Sequence, residues 1–318
     1  MSSETQIVIE DIGFHAILVD SGRNGMQLHG YSPSGPMDEL AYKAADKLVT
    51  NSRDSVQIEF IGPLRFRTLS SLWVSVTGPD VTIQVANQYV DAWCQLHIPA
   101  GSLVHVEPAK MGQRHYIAIA GGIACEPVLG SATSVLREKV GGIDGEGTAL
   151  RAGDRLNVNR VCYSSKQAPC EVKPVDYSLN APIHVVQGYQ ASTFSCIAKR
   201  RFFSGRYILS NAADRMGYRL QGEPVNSSLN SMKSEGIALG AIQCPPDGQP
   251  IIMMRDRQTI GGYPKIGCVA PYDLHRLAQM VPGEAVTFES VNIETARANM
   301  LLINAGYQRL KNEFVGSE

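Results

Sequence analysis

Short stretches of alternating apolar and polar residues fill the first half of the chain. Leu72, Val74 and Val76 alternate with Trp and Ser, and Val81, Ile83 and Val85 alternate with polar residues. A period of two marks strands with one face turned inward. The pattern predicts strands at 15–20, 56–61, 72–77, 81–90, 103–107, 116–120 and 155–158. Turn residues separate them: Gly62-Pro63, Gly78-Pro79, Gly101, Gly121-Gly122 and Gly153-Asp154. Many short, evenly spaced strands read as a barrel or sandwich rather than as βαβ units. One helical pattern interrupts them at 36–49, where Met37, Leu40, Ala41, Ala44, Ala45, Leu48 and Val49 fall on one face. Ser34 or Gly35 suits its cap, Pro36 its first turn, and Asp38 and Glu39 its dipole.

The second half repeats the style. Strands are predicted at 182–186, 207–209, 218–220, 237–243, 250–254 and 285–291, with Asp247-Gly248 as a hairpin turn. Helices are predicted at 192–201 with Ser192 as cap, at 273–281, and from Asn292 onward. Three segments echo one another: Ala100-Gly-Ser-Leu-Val-His-Val, Ala152-Gly-Asp-Arg-Leu-Asn-Val and Pro282-Gly-Glu-Ala-Val-Thr-Phe. Each is a Gly turn, a polar residue and an alternating strand, the pattern of a repeat or simply of any hairpin. The expected fold class is mainly β with a few helices, in two barrel-like domains. Domain one covers 1–165, a Pro-bearing linker 166–181, and domain two 182–318.

With 318 residues, 44% of them hydrophobic, each half can bury its own core. A net charge of −1 and a longest basic run of only Lys199-Arg200-Arg201 argue against a nucleic-acid partner. No apolar run is long enough to span a bilayer, and the N-terminal residues lack a signal-peptide pattern, so a cytoplasmic protein is expected. The seven cysteines include no Cys-x-x-Cys and the seven histidines show no metal-ligand spacing, so no metal site is expected. P-loop, His-Glu-x-x-His, Gly-x-Ser-x-Gly and Rossmann signatures are all missing.

Three Gly-rich segments carry the candidate chemistry. The densest runs from Ser234 to Pro264. Apolar strands there deliver Gln243, Gln249, Asp256, Gln258, Thr259 and Tyr263, with Gly261-Gly262 allowing close backbone approach. Asp256 is a candidate base, and the neutral donors suit an amide or an oxyanion. Asp256, Gln258 and Thr259 are therefore the candidate catalytic residues. The second segment, Ser210–Arg219, sets a loop of small residues before a strand bearing Arg215 and Arg219, the pattern of a close backbone approach to a ligand or of a structural ion pair with Asp214. In the third, Asp20, Arg23 and Asp38 form either a second candidate site for an anion or a pin between loop and helix.

These segments resemble the family that holds the C-type subunit of 5-oxoprolinase, the sporulation-kinase regulator KipA and the second part of the urea amidolyase carboxyltransferase domain (allophanate hydrolase subunit 2). The resemblance rests on Asp20-Ser-Gly-Arg-Asn-Gly, Ser34-Gly-Pro-Met-Asp38, Gln113-Arg-His-Tyr-Ile-Ala-Ile-Ala-Gly-Gly122, Ala213-Asp-Arg-Met-Gly217, Ser234-Glu-Gly236, Gly240-Ala-Ile-Gln243 and Asp256–Pro264. It implies cyclophilin-like β-barrels, two partners (a KipI-like B-type subunit and a hydrolase-type one), and ATP with Mg as cofactor. The implied activity is activation of 5-oxoproline for hydrolysis to glutamate, by a chain inactive alone. Two alternatives travel with the resemblance. One is biotin-dependent carboxyl transfer to urea or a related amide, with biotin carried by another chain. The other is KipA-like neutralisation of a KipI-type histidine-kinase inhibitor. The chain departs from the family pattern at Val19 (usually Gln), at Gly130-Ser-Ala-Thr-Ser134 (usually Gly-Ser-Arg-Ser-Thr) and at Gly188-Tyr189 (usually Gly-Pro).

Overall fold

The computed structural model describes residues 6–51, 54–110, 112–159 and 172–312. Part of the expected linker, 166–171, lies outside these residues, as do Cys162 and Cys170. The chain forms two compact units: Met1–Met26 with Pro33–Asp176, and Gln27–Ser32 with Tyr177–Glu318. Both are mainly β, as the alternation predicts.

Unit 1 holds two antiparallel sheets. The six-stranded sheet runs in the order Arg155–Asn157, Gln6–Ile12, Leu64–Thr68, Leu103–Pro108, Val81–Val85, Gln88–Val90. The five-stranded sheet runs His15–Val19, Gln57–Ile61, Arg114–Ile119, Leu72–Thr77, Leu96–Ile98. Inward residues of both sheets, among them Ile7, Leu18, Phe60, Phe66, Val76, Val104 and Ile117, share one core. The predicted strand 81–90 is in fact a hairpin: Ala86 and Asn87 turn with positive φ. Three strands escape the pattern, Gln6–Ile12, Leu64–Thr68 and Leu96–Ile98.

Arg114–Ile119 is buried along its whole length, with no alternation. The reason is the helix Glu39–Leu48, which packs on it and on Leu72–Thr77. Ser75 Oγ and Thr77 Oγ1 donate to the helix carbonyls of Ala45 and Ala41, each at 2.8 Å. The helix begins three residues later than predicted. Ser34 and Gly35 have positive φ, outside helical space. Asp38 is the cap instead, accepting from the Leu40 and Ala41 amides at 3.1 Å. Its own amide donates to Tyr116 Oη (2.8 Å), which donates to Glu59 Oε2 (2.8 Å).

The loop before this helix is held by buried polar groups. Asp20 accepts from the Gly22 amide, the Ser131 and Thr133 hydroxyls and the Ala132 amide, all at 2.5–2.9 Å. Arg23 has no exposed surface, and its guanidinium donates to the carbonyls of Val128, Ser131 and Thr133. Gly141 admits this packing, since a Cβ there would lie 2.1 Å from the Thr133 carbonyl oxygen. Asp20 and Arg23 thus clasp the segment 128–133, whereas Asp38 caps the helix.

Unit 2 is built on one eight-stranded sheet. Its order is Ala285–Val286, Tyr207–Ala213, Gly217–Gln221, Ile251–Met253, Ala241–Gln243, Lys265–Val269, Ile183–Gln187, Phe288–Val291. The two edge strands are consecutive in the chain, so the sheet nearly closes into a barrel. Only the pair Ile183–Gln187 and Phe288–Val291 is parallel among the described strands. A separate ribbon pairs Glu235–Gly236 with Ile260–Gly261. The helix predicted at 192–201 is displaced: Tyr189–Thr193 is a 3₁₀ turn, and the α-helix is Cys196–Ser204, capped by Ser195. Asn292 caps the helix Ile293–Asn312 as expected, through the Thr295 amide at 2.7 Å. The three echoing glycines, Gly101, Gly153 and Gly283, all have positive φ. Each donates its amide to a strand residue, Thr68, Ile9 or Leu209.

The clasp and the helix each generate a stability prediction. Arg23→Met removes three hydrogen bonds and leaves the buried Thr133 carbonyl without its side-chain donor, and a urea titration should show a loss of about 3 kcal/mol. An unchanged midpoint would show that the clasp contributes nothing. Asp46, buried in the helix, has its carboxyl pushed up to about 7 by burial. The folded state therefore keeps a proton that the unfolded chain releases near pH 4, and stability falls as pH rises from about 4 to about 7. Asp46→Asn should raise the melting temperature at pH 8 and change it little at pH 4. A gain equal at both values would show that ionisation of Asp46 is not its source.

Candidate functional site

The polar cluster of unit 2 is assembled by strand register. Ala241–Gln243 lies between Ile251–Met253 and Lys265–Val269, with Gln243 paired to Lys265 across an irregularity after Ile242. The small ribbon places Glu235 opposite Gly261. Four residues from four segments therefore border one spot: Gln243, Lys265, Glu235 and Gly261.

Gln243 is 2% exposed, yet its Nε2 has no acceptor. A buried amide donor left unpaired costs about 1–3 kcal/mol, so it marks a place where stability yields to something else. A Cβ added at Gly261 would lie 3.0 Å from Gln243 Nε2, 2.9 Å from Gln258 Nε2 and 2.6 Å from Ile237 Cδ1. Only glycine at 261 lets both amides converge there. Its φ is not positive, so space and not backbone conformation selects glycine at this position.

Beside these amides lies an ionic group. Lys265 Nζ pairs with Glu235 Oε1 at 2.5 Å. Gln190 Nε2 donates to the same oxygen at 2.6 Å, and the Tyr189 hydroxyl donates to Glu235 Oε2. Gln190 also accepts from the Lys265 amide at 2.7 Å. The Lys265 ammonium and the Tyr189 hydroxyl hold the Glu235 carboxyl below its ordinary range. In turn Glu235 pushes the Tyr189 phenol up. Tyr189 is the residue that stands where the family usually has Pro, and here its hydroxyl serves Glu235.

The other expected residues either frame this spot or lie apart from it. Asp256 accepts from both Arg215 Nε (2.9 Å) and Nη2 (3.0 Å), a two-point fork with little exposure on either side. Arg215 is thus matched to Asp256 within the chain. Arg257, inserted between Asp256 and Gln258, donates to the carbonyls of Ile237 and Met254, and burial lowers it to about 10. Thr259 is half-buried and gives its carbonyl to the Ile237 amide. The Gly262 carbonyl accepts from the Met232 amide at 2.8 Å, and Tyr263 is 40% exposed beside it. Arg219 pairs with Asp247, and Gln249 holds Gly222 by two hydrogen bonds, both at the end of Ile251–Met253 away from Asp256. So the structure brings Gln243, Gln258 and Gly261 together, sets Asp256–Arg215 apart as a pair, and places Arg219 and Gln249 at the hairpin turn.

Four members of the cluster lie outside the expected site: Glu235, Lys265, Tyr189 and Gln190. A signal exists for one of them. Glu235 is the centre of the Ser234-Glu-Gly236 motif. Lys265 carries none, because its strand lacks alternation and follows a proline. Unit 1 also has a concavity of about 470 Å³, lined by Asp54, Ser55, Gly121, Gly122, Glu126 and others. The thiol in its wall, Cys125, is pushed up to about 11 by burial and offers no nucleophile at neutral pH.

Comparison with known proteins agrees with this architecture. The family model "Carboxyltransferase domain, subdomain A and B" matches residues 29–290. The chain is 32% identical to the C subunit of 5-oxoprolinase from Escherichia coli K12, over 89% of this chain and 91% of that one. It is 26% identical to urea amidolyase of Saccharomyces cerevisiae, over 92% of this chain but 17% of that one. The crystal structure of K. lactis urea amidolyase superposes with a TM-score of 0.83 at 23% identity, over 93% of this chain and 19% of that one. The last likeness concerns the fold. The match across most of its length leaves one conclusion: the chain belongs to the family of carboxyltransferase domains with subdomains A and B.

Proposed function

We propose that this chain is the C-type subunit of an ATP-dependent 5-oxoprolinase, acting on the lactam of 5-oxoproline. The observation that carries the reading is the two-way coverage of the 5-oxoprolinase C subunit, about nine-tenths of each chain at 32% identity. The urea amidolyases are far longer than the segment they share with this chain.

The cluster suits such a substrate. A lactam is planar and resonance-stabilised, and charge grows on its oxygen as the ring carbon is activated. Donors already aimed at that oxygen stabilise the growing charge without reorganisation. Gln243 and Gln258 supply neutral amides, which the missing side chain of Gly261 lets come close together. Among the described residues no group of three His, Cys, Asp or Glu is placed to hold a metal ion. In this reading ATP and its Mg fall to a KipI-like partner, and completion of hydrolysis falls to a hydrolase-type one. The second reading is carboxyl transfer to an amide nitrogen, favoured by the family model itself. It requires biotin delivered on another chain.

The deciding test is glutamate release from 5-oxoproline by the chain co-expressed with both partner types. ATP-dependent release that vanishes when this chain is omitted supports the proposal. An intact complex with no release, and carboxylation of urea in the presence of a carboxybiotin carrier, refutes it. Within the site, Gln243→Met should cut turnover by about 100-fold. The same substitution removes an unpaired buried donor, so the unfolding midpoint should hold or rise. Loss of activity together with loss of stability would make Gln243 a structural residue.

A further inference from the structure

Lys265 and Glu235 are assigned no role by the reading above, and their geometry gives them one. The Lys265 stem starts opposite Gln243, and its ammonium ends on Glu235, which lies opposite Gly261. Amide and ammonium thus border the same glycine. Glu235 carries three donors already: Lys265, Gln190 and Tyr189. An ammonium has three N–H groups, and the contact with Glu235 uses one. Arg257 nearby directs its Nε and Nη1 donors at the carbonyls of Ile237 and Met254.

We propose that Lys265 and Gln243 together form a carbonyl-oxygen site beside the Glu235–Gly261 pair, and that Glu235 tunes it to take neutral amides, lactams or ureas in preference to carboxylates. The inference rests on the amide-directed function proposed above and names the atom bound. The selectivity follows from charge. Lys265 is already neutralised by Glu235 in direct contact. A carboxylate placed on the same ammonium would lie beside the Glu235 carboxylate and be repelled. A neutral oxygen carries no such penalty, and it gains from the ammonium as negative charge develops on it. Gln243 adds the buried, unpaired donor that an oxygen acceptor would satisfy.

Binding to this chain, read by ligand-observed NMR without ATP or partners, tests this directly. The probes are 2-pyrrolidinone (lactam, no carboxylate), L-proline (carboxylate, no ring carbonyl) and 5-oxoproline. The wild-type chain should bind 2-pyrrolidinone and 5-oxoproline competitively and proline at least tenfold more weakly. Lys265→Met should weaken 2-pyrrolidinone by about tenfold or more, and Lys265→Arg should retain part of the affinity while controlling for folding. Glu235→Gln frees the ammonium and should bring proline binding up toward that of 2-pyrrolidinone. Absence of lactam binding by the wild-type chain, equal binding by Lys265→Met, or proline binding as tight as lactam would each overturn the inference. The two readings fail separately. Lysine-dependent lactam binding without glutamate release removes only the 5-oxoprolinase assignment. Glutamate release with lactam binding that ignores Lys265 removes only this one.

Discussion

The pairing of Lys265–Val269 with Ala241–Gln243 is the constraint on which unit 2 depends. This strand lies inside the eight-stranded sheet, between Ala241–Gln243 and Ile183–Gln187. It joins the hairpin that carries Gln243 to the strand that leads into Tyr189 and Gln190. Its register also decides which residue faces Gln243. A slip by one position would send the Lys265 side chain to the opposite face and leave Glu235 without its cation. The irregularity beside Gln243 belongs to this constraint, since a local extra residue re-aims the side chain that follows it.

Two buried polar groups, one in each unit, are arranged differently. In unit 1 Asp20 and Arg23 are filled by the segment 128–133, and Asp38 by its own helix. These groups lock a loop whose backbone takes unusual conformations at Ser34 and Gly35. In unit 2 the Gln243 amide is buried without an acceptor, beside a glycine whose missing side chain lets Gln258 and Ile237 close in. A satisfied network stabilises, whereas an open one invites a ligand. The proposed site in unit 2 rests on that open amide and the ionic group beside it.

Much of the fold is legible in the alternation. Leu72–Thr77 and Leu103–Pro108 appear where the period of two places them, because one face of each meets the core. Lys265–Val269 is not legible that way. It is short, it includes Gly267, and most of it is buried. The helix start is hidden for a different reason. Pro36 looks like a first-turn residue, but positive φ at Ser34 and Gly35 delays the helix to the Asp38 cap. At the site, Gln243, Gln258 and Gly261 stand out as small and amide residues clustered in sequence. Lys265 does not, because only cross-strand register brings it to Gln243, and Glu235 shows only as the centre of the Ser234-Glu-Gly236 motif. Asp256 reads in the sequence as a candidate base, whereas in the fold Arg215, 41 positions earlier, occupies both of its oxygens.

The near-closure of the unit 2 sheet limits how another chain can engage it. Its terminal strands have two and four residues, and they are neighbours along the backbone. A partner could not lengthen this sheet by adding a strand of its own without prising those ends apart. Recognition must therefore be written in side chains and loops, where a single exchange such as Tyr for Pro at 189 can rewire the surface without disturbing the barrel beneath.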